Sequence, residues 1–347
     1  MDAIHGQAGE TIDAARIKAK AIELGAELVG IADADTLNAF PPDPNWPQTP
    51  ERISEHAKRA VVLAIHIPSG TFRARAGSVV RHMDNLAIRR IERLGQALAR
   101  WLEREGYPAF PVISNETDWT LKGGTYGYLS MRHLAVEAGL GTLGLNVNLV
   151  TPEYGSRVYL AAVLTEAEVE ADKPLAEQVC IGEGCSRCLY GCPPDAVEHF
   201  GINKRACSTH AQVFGFAQLT AYAAGAVRGQ SAAGDPYRTP NTIGFWQTMT
   251  RVAGAFGACP RCHAVCPIGQ DYEAYLLEPH REIPENTPEK VDKGRAFQLA
   301  RKAGEEVAGL NEWNLRWVGP EGYSGRAVRE LHRRRRAARA ADAKDPE

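Results

Sequence analysis

Net charge is scarce in this 347-residue chain: 40 Lys and Arg stand against 42 Asp and Glu, a formal −2. No global surplus of positive charge therefore draws it to nucleic acid. Long apolar runs are missing too. No stretch approaches the roughly eighteen consecutive apolar residues of a membrane-spanning helix, although hydrophobic residues make up 44% of the chain and suffice for a sizeable core. The opening MDAIHGQAGETIDAARIKAK has neither the apolar segment of a secretory signal nor a twin-arginine pair. The expected compartment is the cytoplasm, with no membrane partner.

What is present is concentrated. All eight cysteines lie within residues 180–266. The first run reads C-IGEG-C-SR-C-LYG-C-P, from Cys180 through Cys185 and Cys188 to Cys192 and Pro193. Cys207 stands alone in KRACSTH. The second run, C-PR-C-HAV-C-P, carries Cys259, Cys262, Cys266 and Pro267. Two runs ending in C-x₂-C-x₃-C-P are the pattern of a protein with two [4Fe–4S] clusters. A cubane needs four thiolates converging on one inorganic core, and short gaps let a turn present successive sulfurs to it. The cysteine before each proline reaches the other cluster, because the chain has turned away by then. The spacing thus predicts one cluster on Cys180, Cys185, Cys188 and Cys266, and another on Cys192, Cys207, Cys259 and Cys262. Between Cys180 and Cys185 four residues intervene instead of two, and Gly182 and Gly184 are placed to absorb the longer loop. Disulfides fit poorly with a chain lacking a secretory signal. Zinc takes C-x₂-C pairs but rarely the repeated x₂-x₃-P form.

Elements can be placed around these runs. A helix is expected from Thr11 to Gly25, a strand in AELVGIADA, and a proline-rich surface loop over 35–52. A buried strand follows over 59–68, in which His66 reads as a core histidine. A long amphipathic helix runs from about Asp84 to Gly106, and a strand is expected over 107–114. Arg73, Arg75, Arg81, Arg89 and Arg90 form a basic cluster, read first as a solvated face and second as a contact for an anionic group. KGGTYGY leads into a helix, SMRHLAVEAG. AGLGTLGLN follows, where glycines permit close backbone approach, and then a strand, VYLAAVLT. GLGTLG follows a helix rather than a strand, the wrong order for a dinucleotide fingerprint. Two helices are expected between Cys207 and Cys259, with Phe214, Phe216, Tyr222, Phe245 and Trp246 as core or pocket rings. After about residue 270 only a short basic helix, KGRAFQLARKAG, a segment with Trp313 and Trp317, and an arginine-rich tail over 333–336 are legible.

The segment AGLG…N…TPEYGSR…VLT, followed by the eight cysteines in their order, resembles the cobalamin-dependent reductive dehalogenases and their relatives the epoxyqueuosine reductases, over about residues 15–270. The resemblance implies an α+β fold, with a nitroreductase-like corrinoid-binding core and a ferredoxin-like two-cluster segment. It implies domains over 1–172 and 173–275, the latter with a helical insertion over 208–258, and a C-terminal extension over 276–347 that is partly disordered. It also implies base-off cobalamin, in keeping with the lack of a D-x-H-x-x-G histidine motif. The corrinoid would lie against Gly139, Gly141, Gly144, Asn146, Thr151, Tyr154, Gly155, Ser156 and Arg157.

Within that superfamily TPEYGSR is closer to the dehalogenases. The aspartate that epoxyqueuosine reductases carry thirteen residues before AGLG falls on Thr125, with Asp118 and Glu116 out of register. The expected function is therefore a dehalogenase-like reductase acting on a small molecule such as a halogenated aromatic, with an external ferredoxin- or flavodoxin-type donor. Tyr126 or Tyr128 is the expected proton donor, with Lys122 or Arg132 as the cation that lowers its pKa. Two alternatives stay open: an epoxyqueuosine reductase acting on tRNA, and an electron carrier or activator of a corrinoid protein.

Overall fold

The computed structural model describes residues 12–39, 41–42, 47–73, 77–112, 118, 120–121, 127–211, 216–229, 259–269 and 282–303. Its centre is a four-stranded antiparallel sheet in the order β1-β2-β6-β3, built from β1 (Leu28–Asp33), β2 (Arg59–His66), β3 (Ala109–Val112) and β6 (Val158–Thr165). β2 and β6 are apolar without alternation because helices cover both faces. Ile31, Val61, Leu63 and Val163 face α1 (Ala14–Glu23) and α3 (Gly77–Arg104), where Ile17, Ile91, Leu98 and Leu102 complete one core. Ala32, Val62, Ala162 and Leu164 face the other way, toward α4 (Met131–Glu137). α2 (Ala34–Ala39) lies in the stretch expected to be loop, and α3 begins before the expected Asp84.

Close approach of backbones needs glycine at one point of the sheet. A Cβ on Gly30, in the middle of β1, would stand 2.2 Å from the carbonyl oxygen of Ala138 at the end of α4. That contact fixes where α4 delivers the chain to the two-stranded ribbon β4 (Thr142–Leu143) and β5 (Leu149–Val150). The cysteine-bearing region follows, with α5 (Arg187–Tyr190), the ribbon β7 (Val197–Glu198) and β8 (Gly201–Ile202), α6 (Lys204–Ala211), α7 (Phe216–Val227) and α8 (Arg261–Ala264). α9 (Pro288–Ala303) packs back over it, and is longer than the helix legible in KGRAFQLARKAG.

The α4 core does not stop at the expected domain boundary. Leu189, Ala196, Val197, Phe200 and Phe297 join Leu134, Leu143, Leu145 and Leu149 in one apolar cluster. The fold is α+β, as expected. Among the described residues no helix is long and apolar enough to cross a membrane.

Candidate iron–sulfur centres

The short helices α5 and α8 are built alike. In each, the first cysteine of a C-x₂-C pair (Cys185, Cys259) precedes the helix, the second (Cys188, Cys262) lies on it, and the third (Cys192, Cys266) follows its end. All eight cysteines are free thiols, and Cys192 is buried while the other seven are half-buried. Electrostatic contact sorts them into two sets. Cys180, Cys185 and Cys188 each feel Cys266, from the second run. Cys207 feels Cys262, Cys192 and Cys259. Cys188 also feels Cys262, so the two groups approach each other at that pair.

Burial, and after it the charge of neighbouring thiolates, raises the pKa values of Cys207 and Cys188; Cys207 is pushed up to about 12 and Cys188 well above its usual value. Directed groups oppose this. The Gly182 amide donates to Cys180 Sγ (3.4 Å), the Ala196 amide to Cys192 Sγ (3.2 Å), and Asn148 Nδ2 to Cys262 Sγ (3.6 Å). Four half-buried or buried sulfurs per group, with N–H donors among them, suit an electron-poor iron core that neutralises them on binding. Zinc suits them less. Four thiolates at 2.3 Å from zinc stand about 3.8 Å apart, and the repeated C-x₂-C-x₃-C-P spacing is the one associated with cubanes. A cubane spreads its thiolates wider. Beside the first group lies a pocket lined by its four thiols with Leu145, Asn146 and Val150.

The four-residue gap after Cys180 is filled by a single 3₁₀ turn, Gly182–Gly184, with Gly182 at φ +71°. A buried pair braces it: His199 Nε2 lies 2.6 Å from Glu183 Oε1, with the imidazole stacked on Phe297. Neither this pair nor Lys290 stood out in the sequence, since their meaning lies in long-range contacts.

The residues expected to hold a corrinoid make contacts within the protein. A Cβ on Gly139 would meet Lys173 O at 2.7 Å, on Gly141 Val150 O at 2.3 Å, and on Gly144 the Val150 side chain at 2.8 Å. Asn146 Oδ1 accepts from the Asn148 amide, and Thr151 Oγ1 accepts from the Tyr154 amide. Tyr154 stacks on His66 at 4.5 Å. Gly155, at φ +57°, abuts Ile268 O, and the fully buried Arg157 donates to Cys266 O (3.1 Å) and Ile268 O (2.7 Å). The Ser156 carbonyl accepts from His263 Nδ1 (2.6 Å), while its buried hydroxyl has no hydrogen-bond partner among the described residues. TPEYGSR is thus largely the joint that holds Cys266 in place. These contacts all lie within the protein, and no step is derived through cobalamin.

Of the expected catalytic residues, Lys122 and Tyr126 lie outside the described residues, as does Thr125. Tyr128 is half-buried against the α4 core, and Arg132 Nη1 donates to Val147 O (2.5 Å). Asp118 is buried against Arg52 (2.7 Å). Burial acts to raise its pKa, but hydrogen bonds from Thr120 and Arg52 outweigh it and hold the carboxyl below its usual range. Of the basic cluster, Arg89 and Arg90 are exposed on α3, and Arg90 donates to Gly25 O (2.9 Å). The side chains of Arg73, Arg75 and Arg81 lie outside the described residues, as do those of Phe214, Phe216, Phe245, Trp246, Trp313, Trp317 and the tail.

No protein-family model matches the chain. Curated relatives do. It is 32% identical to an epoxyqueuosine reductase of Bacillus subtilis (strain 168) over 162 residues, 45% of this chain and 34% of the relative. It is 28% identical to that of Gloeobacter violaceus over 216 residues, 56% and 64% of the two chains. A 74-residue stretch is 45% identical to that of Synechococcus sp. (strain RCC307), covering 21% and 22%. The chain spans less than two thirds of the length of these relatives. Among solved structures, an epoxyqueuosine reductase from Streptococcus thermophilus is 17% identical over 92% of this chain and 97% of its own, at a TM-score of 0.42. A catabolic reductive dehalogenase is 23% identical over 56% and 27%, at 0.43. Those two scores are too low to weigh between branches.

The curated relatives correct the expected function. They are epoxyqueuosine reductases, not dehalogenases. TPEYGSR misled because its structural work, seating Cys266, says little about the substrate. Over about half its length this chain is similar to epoxyqueuosine reductases, within the superfamily whose motifs its sequence carries.

Proposed function

We propose that this chain is a double-[4Fe–4S] reductase of the epoxyqueuosine type, reducing a tRNA-borne epoxide with electrons from an external ferredoxin- or flavodoxin-type donor. The observation that carries the electron-transfer part is the gathering of the eight cysteines into two groups of four, with Cys266 crossing over to the first run. The curated relatives support the substrate. Bound clusters supply one-electron carriage; the protein holds the thiolates and brings the two groups together at Cys188 and Cys262. Cobalamin enters this reading through the resemblance alone.

Converting an epoxide to an alkene takes up two electrons and two protons and releases water, so a proton donor is required. Asp118 is a poor one, because Arg52 and Thr120 favour its carboxylate. Tyr128 and Tyr126 are the proposed donors. The test is anaerobic reconstitution with iron, sulfide and cobalamin, then incubation with reductant and epoxyqueuosine-bearing tRNA, read by nucleoside mass spectrometry. Queuosine should appear. About eight irons per chain with no conversion would instead favour the electron-carrier reading, which Thr125, standing where the family has its acid, keeps in view.

A further inference from the structure

α9 brings a buried cation to the second group of thiols. Thr287 and Pro288 set the start of the helix: the Thr287 hydroxyl accepts from the Lys290 amide (3.4 Å), and proline occupies the first helical position, where no amide is needed. Lys290, only 5% exposed, is thereby directed inward. Its Nζ lies 2.6 Å from Cys192 O, 2.7 Å from Glu285 O and 3.4 Å from Tyr190 O. An ammonium has three N–H donors, and three carbonyls receive them. A neutral amine would turn its lone pair on one of those oxygens.

The carboxylates nearby are engaged elsewhere. Glu285 is bound by Arg261 (2.6 Å), and Asp195 and Glu198 by Lys293 (3.3 and 3.1 Å). Among the described residues the partners of Lys290 are backbone carbonyls. The Glu285 carboxylate also feels Lys290 but hydrogen-bonds Arg261, and burying a cation that hydrogen-bonds no carboxylate is costly. An anionic cluster on Cys192, Cys207, Cys259 and Cys262 offsets that cost, and Lys290 already favours the Cys192 thiolate.

We propose that Lys290 is a fixed positive charge that raises the reduction potential of the cluster held by Cys192, Cys207, Cys259 and Cys262. The inference rests on the iron–sulfur reading of those cysteines. A cluster ligated by four thiolates is anionic and becomes more so on reduction, so a nearby fixed cation stabilises the reduced form more than the oxidised one. Lys290 is a positioning residue in this role, acting on the cluster's energy rather than on substrate.

The experiment uses the full chain, reconstituted anaerobically with iron and sulfide, as wild type, Lys290→Met and Lys290→Arg. Iron content is measured first, then the reduction steps by potentiometric titration with EPR. Lys290→Met should keep its iron and lower one of the two steps, so that at a fixed potential the reduced fraction of that cluster falls about tenfold, 59 mV for one electron. The other step should stay in place, and Lys290→Arg should titrate as wild type. Unchanged steps in Lys290→Met, or equal movement of both, would overturn the proposal. If Lys290→Met loses iron, Lys290→Arg decides: wild-type iron and potential sustain the electrostatic role, whereas iron loss or a lowered potential there leaves Lys290 a structural cap and defeats it. A wild-type chain holding no clusters would sink the iron–sulfur reading itself, a separate outcome.

Discussion

Arg157 is fully buried, and its guanidinium is spent on the carbonyls of Cys266 and Ile268. Replacing it with Met removes a buried charge, which by itself can be neutral, but leaves two half-buried acceptors short of a donor, at up to about 1–3 kcal/mol each. Since those acceptors flank the crossover ligand, Arg157→Met should lower iron from about eight per chain to about four, measured by metal analysis after anaerobic reconstitution. Retention of all eight would show that Cys266 is seated by something else. Asp118 supports a different prediction. Its folded pKa lies below the ordinary value of about 3.9, so its contribution to stability is fully present above that pH and is lost as pH falls through the folded value. Asp118→Asn should cost about 1.5–3 kcal/mol near neutrality, and the gap from wild type should close below about pH 4, followed by denaturant unfolding across pH. At this scale the cysteine runs were legible because they are local in the chain and regularly spaced. Lys290 and the Glu183–His199 pair were not, since nothing local distinguishes a lysine that meets three distant carbonyls from one in solvent.

The joint between TPEYGSR and the second cysteine run is a property of elements. A Cβ on Gly155 would sit 2.1 Å from Ile268 O, at a φ of +57° that itself costs a non-glycine residue about 1–2 kcal/mol. Gly155→Ala should therefore displace the same segment that Arg157 holds. The double variant should lose no more iron or stability than the worse single variant, because both act on one contact. Additive losses in a double-mutant cycle would separate the two functions. The strands were readable here: β2 and β6 announce themselves by unbroken apolar runs, and burial on both faces is the reason. Helix starts were less so. α3 begins at Gly77 and α9 at Pro288, ahead of the expected positions; the first turn of α9 is polar, carries no apolar periodicity and is set by Thr287 and Pro288.

At the scale of the whole molecule, the sequence divides at about residue 172 into a sheet-bearing part and a cysteine-bearing part, yet one apolar cluster runs from Val62 through Leu145 to Phe200 and Phe297. No composition shift marks that continuity; it arises because α4 and the β4–β5 ribbon serve both parts. The branch of the superfamily was misread for a related reason: residues at the joint were taken as witnesses to substrate. Substrate identity should instead depend on the stretch before α4. Tyr128 packs half-buried against the core at its end. Tyr128→Phe keeps the packing and removes the proton. If it is the donor, turnover of epoxyqueuosine-bearing tRNA should fall by about 10²–10⁴-fold while iron content and cluster spectra stay at wild-type levels. Tyr126→Phe is the parallel variant, and Thr125→Asp, which restores the acid at the family's position, should then rescue whichever tyrosine variant is impaired. Full turnover in both Phe variants would remove the tyrosines from the reaction. Turnover that rises in Thr125→Asp alone would show that this chain works, without the family's acid, below the rate its architecture allows.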